Sequence, residues 1–197
     1  MVGLIVVGAV ALLIAFWAVG IYNTLVKLRN RFQNAFSQIE VQLKRRHDLI
    51  PNLVETAKGY MTHEKETLEA VISARNQAVS GLQTAAQNPG DAGAIAGLAG
   101  AEAGLTGALG RLFAVVEPYP DLNANQTVVA LPEELTSTEN KVAFSRQAFN
   151  DSVTAYNTYK QTFPPVLIAG MAGHGADAAL LEFDSEAIAE PLKVSFS

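Results

Sequence analysis

This sequence predicts an all-α protein: an N-terminal transmembrane helix followed by an up-and-down four-helix bundle. Three observations carry that prediction. Residues 2–21 contain no charged side chain. Beyond them, apolar residues recur at steps of three and four, which gives each helix one buried stripe. Short turn signals separate the periodic stretches, and no strand-like alternation interrupts them. The expected organisation is an anchor at 1–22, a cytoplasmic bundle at 23–163, and an apolar then acidic tail at 164–197.

The anchor comes first. Twenty helical residues rise about 30 Å, the thickness of a bilayer's hydrocarbon core. Trp17 and Tyr22 lie near the second end, where amphipathic aromatics favour the interface. A cleaved signal peptide needs a basic start and a small-x-small cleavage site. Neither is present in this stretch, so a retained anchor is the expectation. Lys27, Arg29 and Arg31 follow the span, and basic flanks stay on the cytoplasmic side. That places the N-terminus outside and residues 22–197 on the cytoplasmic side.

The first bundle helix carries Leu25, Leu28, Phe32, Phe36, Ile39 and Leu43 on its stripe. A second series runs Leu53, Ala57, Tyr60, Leu68, Val71, Val79 and Leu82. Pro51 lies between them and either opens a new helix or kinks a continuous one. The apolar phase carries through, since Leu43 and Ile50 are seven apart. A continuous helix over 22–86 would be about 97 Å long, too long for a compact domain. A turn near His47–Pro51 is therefore expected.

Asn88-Pro89-Gly90-Asp91 is the next turn signal. A third helix is predicted over 92–116, with Ile95, Leu98, Leu105, Leu109, Leu112 and Val116 inward, closed by residues 117–125. The fourth starts at Pro132-Glu133-Glu134, where acidic side chains suit the positive end of the helix dipole. Its stripe is Leu135, Val142, Phe149, Val153, Tyr156 and Phe163, and Pro164-Pro165 stops it. Residues 166–172 are too short to span a bilayer. They either lie in the membrane interface or cap the base of the bundle.

Composition narrows the function. The 197 residues carry a net charge of −5, which argues against sequence-independent nucleic-acid binding. There is no cysteine, which excludes disulfides, thiolate metal sites and Cys nucleophiles. His63-Glu64 opens a zincin-like pattern, but Thr67 stands where the second His is needed. Di-iron bundles need Glu-x-x-His pairs, and no His here has Glu three residues before it. The prediction is a protein that is not an enzyme, with no metal and no cofactor. Charge is also polarised: residues 22–86 are net basic, and residues 87–197 are net acidic. The acidic end is either a solvated tail or an attractor for the basic half.

Three sets of residues are candidates for contacts. Gly93, Gly97, Gly100, Gly104 and Gly107 step by four and three and face away from the leucine stripe. Each costs a helix about 1 kcal/mol relative to Ala. Close approach of a second subunit would offset that; the other reading is a poorly helical, low-complexity loop. Lys44, Arg45 and Arg46 form the densest basic cluster, about 36 Å beyond the span. They either dock an acidic partner or stabilise a helix C-terminus. Asn23 and Asn30 on helix 1, and Asn150 and Asn157 on helix 4, are each seven apart. Buried amides paired across that seam would fix its register; partly exposed Asn at helix edges is the alternative.

Long ordered segments of the chain resemble the LemA family of bacterial membrane-anchored proteins. Residues 22–41, 42–60 and 61–78 are similar to that family's first half; 117–125, 138–164 and 191–196 are similar to its second. Phe149 stands where the family usually has Tyr, and the block at 90–110 is richer in glycine than usual. The resemblance implies one membrane helix, a cytoplasmic helical bundle and no agreed enzymatic activity. It also implies relatives in the building of bacterial internal membranes and in membrane-protein quality control. The expected function is a membrane-anchored scaffold that self-associates, with the lipid bilayer and a second copy as partners. The alternative is an adaptor delivering clients to a membrane protease or another quality-control machine.

Overall fold

The structure, a computed structural model, describes residues 1–61, 63–116 and 126–182, and only the backbone of residues 126–131. Those residues form α1 (Val2–Lys58), α2 (Lys65–Gln87), α3 (Ala92–Val116), α4 (Gln126–Gln161) and α5 (Pro165–Ala169). No strand occurs among the described residues. α1 is the spine: α2, α4 and α5 all pack on it, and α3 packs on α2. The all-α bundle behind an N-terminal apolar helix is the architecture that the periodicity predicts.

α1 runs unbroken for 57 residues, about 85 Å. Val2 to Trp17 are exposed throughout, as a segment without protein neighbours must be. Burial begins at Ile21 and recurs at Leu25, Phe32, Phe36, Ile39, Leu43, Arg46, Ile50, Leu53 and Ala57. From Phe32 onward those steps alternate four and three, a coiled-coil-like seam.

The expected turn at His47–Pro51 does not occur. Pro51 lies inside α1, and the chain turns instead at Gly59–Glu64. A proline in a helix interior leaves the carbonyl four residues earlier without its amide donor. Here that carbonyl belongs to His47, and Arg75 Nε of α2 donates to it at 3.2 Å. The neighbouring helix thus replaces the hydrogen bond that proline removes. Leu53 and Ala57, expected on the second helix, lie on the seam of α1.

The turn at Asn88–Asp91 and the bounds of α3 match the expectation. Asp91 Oδ1 accepts from the amide of Ala94 at 2.8 Å, capping α3. α2 and α3 pack closely at Gly81, where an added Cβ would lie 3.4 Å from the Leu98 backbone. α4 begins at Gln126, six residues before the expected start, with Pro132 inside it. The remaining predicted stripe of α4 is buried from Leu135 to Tyr156, but Phe163 points outward. The predicted closing segment of the third helix, 117–125, lies outside the described residues.

After α5 the chain forms a strap, residues 170–182, that turns at 170–173 and then runs back along α4 without regular secondary structure. Ala178 and Leu181 join the core cluster of Phe32, Phe36, Phe149 and Tyr156. The amide of Ala179 donates to the carbonyl of Gly90, tying the strap to the α2–α3 turn at 3.3 Å.

The proline repair is testable by a double-mutant cycle in detergent, read by chemical denaturation. Arg75→Ala costs about 1–2 kcal/mol in the native chain. In a Pro51→Ala background the helix amide returns, and the same change costs about 1 kcal/mol less. Equal costs in both backgrounds would show that Arg75 does not serve the orphan carbonyl.

Candidate functional site

The body contains two polar centres, one buried at its middle and one under the strap. Neither is an open pocket.

The first is built on positions that the apolar stripes reserve for the core. Arg46 lies on the seam between Leu43 and Ile50; Glu102 lies on α3 between Leu98 and Leu105. Glu102 is 2% exposed and Arg46 7%. Arg46 Nη1 donates to Glu102 Oε2 at 3.1 Å, and Arg46 Nη2 to Thr106 Oγ1 at 2.9 Å. His47 Nε2 donates to Glu102 Oε1 at 2.6 Å. Glu139 on α4 stands 3.7 Å from Arg46 Nη2. Nδ1 of His47 is buried, and no hydrogen-bond partner reaches it.

Both oxygens of Glu102 are occupied, and Arg46, His47 and Glu102 are all buried. General acid–base work needs a group within reach of a substrate. This cluster instead joins α1, α3 and α4 through charge-assisted bonds. Among the described residues, no group of three or more potential metal ligands is found. His63 lies exposed in the α1–α2 turn, remote from this cluster in sequence and packing.

Arg46 was a docking candidate, and its burial against Glu102 removes it from that role. Stabilisation of a helix C-terminus does not apply either, because α1 continues to Lys58. Lys44 is exposed and pairs with Glu40 one turn back at 2.6 Å. Arg45 is exposed and stands 3.8 Å from Glu134. Glu102 was not among the expected site residues. Its signal was available: it is the acidic residue that falls in phase with Ile95, Leu98, Leu105 and Leu109.

The second centre is the clasp of the strap. Asn150 and Asn157 do not pair with amides of α1; Asn23 and Asn30 are exposed. Asn157 donates through Nδ2 to the carbonyl of Ala178 at 2.8 Å and accepts its amide at Oδ1 at 3.0 Å. Asn150 does the same for Leu181, at 3.1 and 2.9 Å. An Asn amide carries a donor and an acceptor side by side, so it can pair with an extended backbone as a neighbouring strand would. The spacing of seven repeats the device two helical turns along α4.

Lys160 completes the clasp. It is buried, donates to the carbonyls of Gly175 and Ala176, and pairs with Asp177 at 2.7 Å. Those bonds from Lys160, and a bond from Gln161, hold the Asp177 carboxyl below its usual range. The Tyr156 hydroxyl and Nδ1 of His174 share a hydrogen bond at 2.8 Å. Burial pushes the Tyr156 hydroxyl up and the His174 imidazole down; Arg29 and Lys160 add to the second effect. The groups around His174 are thus Tyr22 and Arg29 of α1 and Tyr156 and Lys160 of α4. Asp184, Glu186 and Glu190 of the expected acidic tail lie outside the described residues.

The glycine face of α3 is exposed at Gly93, Gly97, Gly100, Gly104 and Gly107. An added Cβ would meet nothing within 4 Å at the last four of these. The stripe is helical, and it faces away from the leucine core.

The LemA family pattern matches residues 35–196. The chain is 29% identical to Magnetosome protein MamQ of Magnetospirillum gryphiswaldense over 167 residues, covering 77% of this chain and 61% of that protein. Magnetosome protein MamQ 2 of Paramagnetospirillum magneticum gives the same identity and coverage. Protein LemA of Metamycoplasma hominis is 28% identical over 148 residues, covering 75% of this chain and 63% of that protein. The chain therefore spans about three fifths of the length of the curated relatives it matches.

Two outcomes check the site. Glu102→Leu strands the Arg46 guanidinium in the core and costs about 3–5 kcal/mol, whereas adding Arg46→Met recovers most of that loss. Denaturation midpoints of the native chain and the two variants measure it. Second, a lowered histidine pKa means that the unfolded chain takes the proton first. The contribution of His174 is whole above the ordinary imidazole value of 6.5 and is lost as pH falls below it. Hydrogen exchange at the amides of Ala178 and Leu181, corrected for intrinsic rates, should quicken between about pH 7 and 5. His174→Gln should flatten that dependence; an unaltered slope would acquit His174.

Proposed function

The chain belongs to the LemA family, and on that premise we propose a membrane-anchored, non-enzymatic scaffold. It self-associates and organises membrane or partner proteins on the cytoplasmic side of the bacterial inner membrane. The observation that carries this reading is the continuity of α1. One helix supplies the exposed apolar segment Val2–Trp17 and then the central seam of the body. The body thus stands on its anchor as a rod of about 57 Å over residues 21–58, a shape suited to holding partners at a set distance from a bilayer.

Three further features support it. Exposed Lys27, Arg29 and Arg31 follow the span, which favours a cytoplasmic body. The likeness to proteins named for the magnetosome supports a role at a membrane. Five exposed glycines on one face of α3 offer a close-packing surface to a second copy, which would offset their cost in helix stability. Lys44 and Arg45 remain exposed and available to an acidic partner.

Purification in mild detergent with mass measurement tests the proposal. A large defined homo-oligomer supports the scaffold. A monomer that co-purifies with a membrane protease favours the adaptor instead. Gly100→Gln combined with Gly104→Gln should reduce the assembly to smaller species. An unchanged mass would remove the glycine face from the interface.

A further inference from the structure

The segment that follows α4 carries an apolar surface that the bundle does not use. From Thr162 to Ala176 the ionisable side chain is that of His174 alone, and it is buried. α5 turns Pro165 and Ala169, one helical turn apart, toward the body. Its other side presents Val166 and Leu167, then Met171 a turn later, with Phe163 just before. All four are exposed, Phe163 to 77% and Met171 to 84%. Four large apolar side chains left exposed within nine residues, with no charge among them, suit an interaction surface.

Its position names the occupant. α5 packs against α1. Ala169 shares a core cluster with Ile21 and Leu25. The His174 ring stands edge-on to Tyr22, with centroids 6.4 Å apart. Ile21 lies six residues before Lys27, the first charged side chain, and Trp17 lies about one turn further toward the N-terminus. The patch is therefore level with the aromatic end of the anchor. Exposed Lys27, Arg29 and Arg31 follow immediately on α1, where anionic headgroups would be met.

We propose that Phe163, Val166, Leu167 and Met171 form a foot that enters the headgroup boundary of the bilayer that the anchor crosses. The inference rests on the anchor reading of residues 2–21. Interfacial apolar faces insert about 5–10 Å into that boundary, which suits a short helix beside the end of a span. A single spanning helix leaves its body free to tilt and to rotate about the helix axis. A second contact set off that axis restrains both, so the foot fixes which face of the rod is presented along the membrane.

The chain has no cysteine, so single introduced thiols carrying an environment-sensitive fluorophore report one position each. The full chain is reconstituted in phosphatidylethanolamine–phosphatidylglycerol vesicles. Leu12→Cys reports the anchor, and Leu167→Cys and Met171→Cys report the foot. Val41→Cys, exposed on α1 about 30 Å beyond Ile21, is the aqueous control. The foot probes should be quenched about twofold or more above the control by lipids spin-labelled near the headgroup. Foot probes that behave like Val41→Cys overturn the proposal. Foot probes shielded from both lipid quencher and aqueous iodide also overturn it, assigning the patch to a second copy or to residues 183–197. Failure of deep spin-labelled lipids to quench Leu12→Cys defeats the anchor reading and the foot with it. Quenching there, without quenching at Leu167→Cys and Met171→Cys, defeats the foot alone.

Discussion

The body depends on one helix keeping a single apolar phase from Phe32 to Ala57 while a proline sits inside it. That phase places α2, α4 and α5 around α1. It survives because Arg75 of α2 occupies the carbonyl that Pro51 leaves without a donor. The repair comes from outside the helix, so α1 is complete only when α2 is docked. Secondary structure and tertiary packing are coupled at this point: the spine needs its neighbour, and the neighbour is positioned by the spine.

A layer of charge divides the core that this phase builds. On the anchor side lies the aromatic cluster of Phe32, Phe36, Phe149 and Tyr156; on the far side lie Ile50, Leu53, Met61, Leu105 and Leu112. Arg46, His47 and Glu102 fall between Leu43 and Ile50 on α1 and between Leu98 and Leu105 on α3. Such a layer is weak as a source of stability, because desolvation offsets most of the Coulombic gain. Its effect is on alignment. A seam of small and branched apolar residues tolerates a slip by one heptad, whereas a guanidinium displaced from its carboxylate in a dry core does not. The polar layer is thus the feature that sets the height of the α2–α3 hairpin against α1.

The strap solves a different problem. The α2–α3 turn meets α1 near Phe32, since Gly90 lies against that ring, and α1 and α4 continue past it toward the apolar N-terminal segment. Their seam would be bare there. Residues 170–182 cover it, held by Asn150 and Asn157 through backbone pairing and by Lys160 through two carbonyls and Asp177. An extended segment cannot satisfy its own backbone groups as a helix does, so it needs polar side chains from α4 at regular spacing. The same segment brings the buried His174 beside Tyr156, and Met171 within it stays exposed, as do Phe163 and Leu167 just before it.

The amino-acid sequence alone determined the uncharged N-terminal run, the helical stripes, the Asn88–Asp91 turn and the outward glycine face. Each rests on a period or a local turn preference, and such signals are complete within a few residues. The stripes even reserved core positions for Arg46 and Glu102, since both fall in phase with their apolar neighbours. Tertiary structure decided what those positions mean. A proline reads as a break until another helix is seen to supply the missing donor, so the turn moved from Pro51 to Gly59. Four Asn residues at heptad spacing read as one seam, but Asn150 and Asn157 serve a strap that reaches them from 31 and 21 residues away. Which of two chemically equal partners a polar group takes depends on where the whole chain returns, and no local pattern encodes that.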